Sequence, residues 1–145
     1  MIKIQNKTIS RHSPAFIIAE AGVNHNGSIE NCFKLIDAAV WAGANAVKFQ
    51  TFITENLVIP EALKASYQIE TTGVNETQYD MLKKVELTFG YHLQIVEYCK
   101  KKGIIFLSTP FDSESVDLLE KLEILAYKVS SADITNLPLL NYIST

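Results

Sequence analysis

The chain has only two cysteines in 145 residues, Cys32 and Cys99. They form neither a CxxC pair nor the even, closely spaced set of a secreted disulfide framework. Both fall inside helical patterns, so free thiols and a reducing, cytoplasmic location are expected. No basic run exceeds Lys100-Lys101-Lys102 and the formal net charge is −3, which argues against nucleic acid as a partner. No apolar run approaches the ~18 residues that span a bilayer, and the opening Met1 to Lys7 is too polar for a secretory signal, so no membrane association or targeting is expected. A Gly-rich phosphate turn of the dinucleotide or P-loop type is missing after every apolar run, and no second His or Cys stands at ligand spacing from His25 to make a metal site.

What is present is the balance of one globular domain, 48% hydrophobic and 20% charged, and a repeated pattern within it. Four short apolar runs each end in polar residues: Phe16 to Glu20, Ala46 to Gln50, Ile105 to Thr109 and Tyr127 to Ser131. Buried parallel strands read as near-continuous hydrophobic stretches, and chemistry in α/β proteins gathers where such strands end. Polar residues placed four times at such ends are poorly explained by packing.

Ile2-Lys3-Ile4 and Thr8-Ile9-Ser10 alternate around a polar turn, predicting a small capping hairpin within residues 1–11. Strand, loop and helix then repeat from about residue 15 to 145. Ser28 is an N-cap candidate for a helix burying Ile29, Phe33, Ile36 and Val40 and ending at Gly43. A helix from about Tyr91 to Lys102 stops at Gly103 before a strand over 104–107. Asp112 or Ser113 caps a helix with Val116, Leu119 and Leu122 on one face, a fourth strand covers 126–129, and Asn136 caps a last helix. This β-α alternation implies a parallel sheet, either an open doubly wound one or a barrel. Single polar side chains at several strand ends suit a barrel mouth. The fold class expected is therefore α/β, a parallel (β/α) TIM-barrel type, of which 145 residues supply about half of the ~250 required.

Thr51 to Gly90 is far longer than an ordinary βα connection of ~2–6 residues. Thr77 to Asp80 resembles a capping box for a helix from Tyr79 to Leu87, and Tyr67, Gln68 and Tyr79 are candidate lid residues.

Lys48 and Gln50 are two apart on one strand and share a face, where an inward lysine is desolvated unless it binds an anion. Lys128, followed by Ser130, Ser131 and Asp133, repeats the theme, so two lysines point to a small dianion. Ser108 and Thr109 add hydroxyls, and Phe111 is available to wall the pocket. Glu20 is costly near a barrel axis unless it pairs with Lys48 or Lys128 or handles a proton. His25 suits a structural role as well as a functional one, whereas His12 and His92 carry no signal beyond packing or solvation.

These strand ends together resemble the N-terminal half of sialic acid synthases, the N-acetylneuraminate synthase family with its legionaminate-type relatives. The carrying segments are Ile18 to Gly27, Ala46 to Thr51, Ser108 to Asp112 and Tyr127 to Asp133. The resemblance implies a partial (β/α)8 barrel over 1–145 that belongs to a longer enzyme, with the C-terminal half-barrel and an antifreeze-like domain outside it. It implies a transferase-type condensation of phosphoenolpyruvate with an N-acylmannosamine-type sugar, forming a nine-carbon sialic acid and phosphate. By motif position, Lys48, Thr109, Lys128 and Ser131 would hold the phosphate and carboxylate of phosphoenolpyruvate. Gln50 and Phe111 would face the sugar, and Glu20 and Asp133 would be the acid–base pair. A divalent metal, Mn or Mg, would polarise the aldehyde on ligands outside this segment. The resemblance also implies a homodimer of the full-length form, and a segment that is inactive alone. Where many relatives carry Gly-Ser-Gly-Glu, this chain has Ser130-Ser131-Ala132-Asp133, a carboxylate one methylene shorter. Two other readings stand beside this one: a Schiff-base aldolase with Lys128 as nucleophile, and a non-catalytic half-barrel completed by a partner chain.

Overall fold

The computed structural model describes residues 1–72 and 76–145; the side chains of Tyr67, Thr71 and Thr72 lie outside the described set. The opening alternation forms an antiparallel hairpin, β1 (Ile2–Ile4) with β2 (Lys7–Ile9), in the register Ile2↔Ile9 and Ile4↔Lys7. Then follow β3 (Ile18–Gly22), α1 (Ile29–Trp41) and β4 (Ala46–Thr51). The long excursion contains α2 (Thr54–Leu57), α3 (Ser66–Thr72) and α4 (Gln78–Lys83). After it come α5 (Phe89–Lys102), β5 (Ile105–Pro110), α6 (Ser113–Lys121), a 3₁₀ turn (Ser131–Asp133) and α7 (Leu137–Ser144). The strands β3, β4 and β5 pair in parallel in that order, with Glu20 opposite Lys48 and Gln50 opposite Thr109.

Side chains alternate across β4, and each face meets a different neighbour. Val47 and Phe49 turn toward α1 and α5, where Ile36, Ile95 and Leu119 complete the main core. Ala46 turns the other way, packing with Ile105, Leu107, Phe16, Ala126 and the hairpin's Ile4. The hairpin therefore meets the lower end of the second face through Ile4. Both cysteines are buried and unpaired, and burial pushes the Cys32 thiol up to about 11 and Cys99 up to about 12.

Helix ends follow their local chemistry. Ser28, Thr88, Asp112 and Asn136 each accept a backbone N–H of the first turn, and Gly103 leaves α5 in the left-handed conformation at φ +70°. The capping box of Thr77 and Asp80 is formed, but α4 ends at Lys83, and Leu87 packs into the core from irregular chain.

Two expectations change. Helix α1 buries Cys32, Ile36 and Ala39, leaving Ile29 and Phe33 half-buried and Val40 exposed. The smaller side chains at 32 and 39 meet the sheet, while Phe33 stacks on Tyr98 of α5 at 4.4 Å. The fourth strand over 126–129 reduces to one bridge, Tyr127 to Ser108, with the Lys128 N–H donating to the Ser108 carbonyl at 3.1 Å. The cause is Pro110. The N–H groups of Ile105 and Phe111 both bond to the β4 side, so alternation turns the even-numbered N–H groups toward residue 127, and Pro110 has none to give. Among the described residues, no helix is long and apolar enough to cross a membrane.

The excursion is tied to the sheet by carboxylates. Glu86 accepts both the N–H and hydroxyl of Thr54, at 2.9 and 2.6 Å, and Asp112 accepts the Ile53 N–H at 2.9 Å. Gly27 sits at φ +75° directly against the Lys84 carbonyl oxygen, which a Cβ at this position would overlap. Gly27→Ala is therefore expected to destabilise the fold by roughly 2 kcal/mol or more, combining left-handed strain with the backbone clash. A urea midpoint unchanged from the parent's would refute this close approach.

Candidate active site

At the C-terminal end of the sheet, Lys48 is buried, its side chain 5% exposed. Its ammonium meets the Glu20 carboxylate at 3.0 Å and donates to the Thr109 hydroxyl at 3.2 Å. The third N–H has no partner among the described residues. Glu20 itself is 57% exposed, so the carboxylate stays in contact with water while the cation it holds does not. A β-bulge between Glu20 and Gly22 shapes the end of β3. Gly22, at φ +55°, leaves room for the carboxylate, since a Cβ there would lie 3.2 Å from Glu20 Oε1 and 3.9 Å from Gln50 Nε2. The Gln50 amide is half-buried and makes no hydrogen bond among the described residues.

Glu20, Lys48 and Thr109 are thus joined by direct contacts, with Gln50 beside them. The other candidates are less closely drawn in. The bridge at Tyr127 puts Lys128 opposite Thr109 in register, on the same face, but exposed. Ser131 is exposed at the start of the 3₁₀ turn. Asp133 accepts from the Asn136 amide at 3.3 Å through one oxygen, while its other oxygen is buried without a partner among the described residues. The Phe111 ring packs edge-on against Phe52, with centroids 6.3 Å apart. Of the lid candidates, Tyr67 has its side chain outside the described set, Gln68 accepts from the Ala65 N–H, and Tyr79 donates to Glu55. Lys128, the nucleophile of the Schiff-base reading, is exposed in this segment. Among the described residues no three His, Cys, Asp or Glu side chains gather as a metal site.

The opposite face of the same strand ends holds His92 and Thr51, which carried no functional signal in the sequence, and Ser108, which was expected beside Thr109 in the pocket. His92 is buried, its ring linked to Thr51 Oγ1 at 2.9 Å and to the Thr88 carbonyl at 3.0 Å. Thr51 Oγ1 lies 2.7 Å from Ser108 Oγ. The only available signal was strand parity, which puts Ser108 and Thr109 on opposite faces. His25 is wholly buried, its Nδ1 accepting from the Gly27 N–H at 3.0 Å. The proton therefore sits on Nε2, which has no partner among the described residues.

Residues 35–145 match the sequence profile of the NeuB family. The chain belongs to the NeuB family. It is 49% identical over 128 residues to the N,N'-diacetyllegionaminic acid synthase of Campylobacter jejuni, covering 88% of this chain and 38% of that one. The Legionella pneumophila enzyme of the same name is 46% identical over 127 residues, covering 88% and 36%. The crystal structure of an N-acetylneuraminic acid synthetase from Leptospira borgpetersenii, in complex with citrate, superposes with a TM-score of 0.80 at 33% identity, covering 97% of this chain and 45% of that one. This NeuB segment thus spans less than half the length of the relatives it matches.

Burial, and secondarily the nearby His92, lowers the His25 pKa to about 4. An unfolded histidine takes its proton near pH 6.5, so between pH 6.5 and 4 the unfolded chain binds more protons than the folded one. Stability from this group is complete above pH 6.5 and lost as pH falls, by on the order of 3 kcal/mol at pH 4. His25→Gln is expected to remove that part of the acid slope in urea unfolding; an identical slope in both proteins would rule His25 out as its source.

Proposed function

We propose that this segment is the phosphoenolpyruvate-binding part of a longer enzyme, a transferase that condenses phosphoenolpyruvate with an N-acylmannosamine-type sugar to give a nine-carbon ulosonic acid and phosphate. The observation that carries this reading is the buried Lys48 ammonium, held by an exposed carboxylate and a hydroxyl, with one donor unused, at the strand ends of a NeuB-family chain. Burying a cation costs several kcal/mol, and a structural need would be met by a hydrophobic residue at lower cost. An anionic substrate accounts for it.

The sheet has two open edges, one along β3, where Ile17 and Ile18 are exposed, and one beyond Tyr127. Strands from the longer protein pairing at both would close a (β/α)8 barrel whose mouth contains Lys48. Segment 1–145 alone then lacks turnover. The Mn or Mg ion implied by the resemblance sits on residues outside this segment, and the full-length form is a homodimer. The buried free thiols suit a cytoplasmic setting.

In this reading Lys48, Thr109, Lys128 and Ser131 bind the phosphate and carboxylate, and Gln50 and Phe111 meet the sugar. C3 of phosphoenolpyruvate bonds to the aldehyde carbon, and Glu20 supplies a proton to the oxygen that becomes a hydroxyl. Water adds to C2 and gives a proton to Asp133, whose buried free oxygen suits that task. The bond from C2 to the phosphate oxygen then breaks: phosphate leaves with the electron pair and takes up the second proton of the added water as C2 becomes a ketone.

Lys48→Met in the full-length gene product is expected to lower kcat/KM for phosphoenolpyruvate by about 10³. The thermal midpoint should hold or rise, since the desolvated ammonium disappears while Glu20 is free to rehydrate. Normal turnover, or a large loss of stability, would mean that Lys48 serves the fold instead.

A further inference from the structure

The β4 and β5 strand ends are braced on both faces, in opposite senses. On the candidate substrate face, Lys48 reaches up to Thr109, the residue paired with Gln50. On the helix face, Thr51 reaches down to Ser108, the residue paired with Phe49. Sliding β5 toward its C-terminal end would carry Thr109 away from Lys48 and press Ser108 toward Thr51; sliding it back would open the Thr51–Ser108 contact. Each diagonal limits the motion the other permits. At 2.7 and 3.2 Å, a slip of about 1 Å takes either contact out of good hydrogen-bond geometry.

The helix-face brace has a defined direction. The Thr88 carbonyl can only accept, so His92 Nδ1 donates to it and Nε2 of the neutral ring is left as an acceptor. Burial lowers the His92 pKa and keeps the ring neutral. Thr51 therefore donates to His92, and Ser108 donates to Thr51. His92 lies in the first turn of α5, behind the N-cap Thr88. The helix start thus orients the Thr51 hydroxyl, and through it Ser108, the residue before Thr109.

We propose that His92, Thr51 and Ser108 are positioning residues that hold the β4–β5 register so that Lys48 and Thr109 converge on the phosphoenolpyruvate anion. This rests on the reading of Lys48 and Thr109 as the anion site. None of the three touches the substrate face; they act through strand register, and a displacement of about 1 Å at a preorganised site is enough to weaken binding strongly.

The test is the Kd for phosphoenolpyruvate, by titration calorimetry on the full-length gene product, read beside the thermal midpoint. Thr51→Val keeps the shape and loses the hydroxyl, Ser108→Ala loses the donor, and Thr51→Ser keeps the hydroxyl. The expected result is a rise in Kd of about tenfold for Thr51→Val and for Ser108→Ala, with Thr51→Ser within about twofold of the parent. Ile36→Val, a mild core change under α1, should lower the midpoint and leave Kd unchanged, which separates register from general destabilisation. Kd within twofold of the parent for both Thr51→Val and Ser108→Ala would overturn the positioning role. Lys48→Met, run alongside, tells the two failures apart. If it alone weakens binding by about a hundredfold or more, only the positioning role falls; if it also binds normally, the anion-site reading falls and takes the positioning role with it.

Discussion

Strand β4 has to satisfy two opposite surroundings along six residues, and the rest of the molecule is arranged around that constraint. Val47 and Phe49 go into the dry layer under α1 and α5, while Lys48 and Gln50 face the other side. A one-residue slip would exchange the two sets, putting an ammonium among the core side chains and Phe49 at the candidate site. Register is therefore specified from both faces by large penalties. The central position of β4, paired on both sides, turns that specification outward to β3 and β5.

The consequences run in both directions. Glu20 lies opposite Lys48 because β3 follows the same register, and the bulge before Gly22 ends the regular pairing where the carboxylate must bend back. On the other side, Thr109 arrives beside Lys48 because β5 continues to Pro110, whose missing N–H then stops the pairing with residues 126–129. The proline that follows Thr109 thus limits the pairing on the outer side of β5 to the single bridge at Tyr127. The excursion from β4 to α5 returns to the strand ends through Glu86 and Asp112, carboxylates that accept backbone N–H groups. Such bonds hold the chain more firmly than its exposed ion pairs, among them Lys83 with Glu55, which are worth little in water.

Much of this was legible in the amino acids because it is local. Ser28, Asp112, Asn136 and Gly103 mark helix ends by their own chemistry, and the polar residues closing each apolar run mark the strand ends. Lys48 and Gln50 could be put on one face from their spacing alone. The pairing of Glu20 with Lys48 was open as one of two partners, since choosing between Lys48 and Lys128 needs the strand order. What escaped depends on distant neighbours. The α1 stripe shifted to Cys32 and Ala39 because the sheet decides which residues meet it. The fourth strand faded because its partner's N–H is absent, a property of residue 110 and not of residues 126–129. His92 looked unremarkable because a helix-face histidine acquires meaning only when a strand hydroxyl stands against it.

The distribution of charge at the sheet's upper end follows from the same two-sided constraint. Burial lowers the pKa of both histidines on the helix face and favours their neutral rings. Lys48 lies on the opposite face of β4 from Thr51, which meets His92. Were His92 cationic, an unpaired charge would be buried behind the strand that carries Lys48. A protonated His92 would also lose the lone pair that accepts from Thr51. A neutral His92 therefore satisfies the Thr51 hydroxyl at the strand end without adding charge. The positive potential at the strand ends is thus left to Lys48 and, at the rim, Lys128, on the face where the Glu20 carboxylate pairs with Lys48.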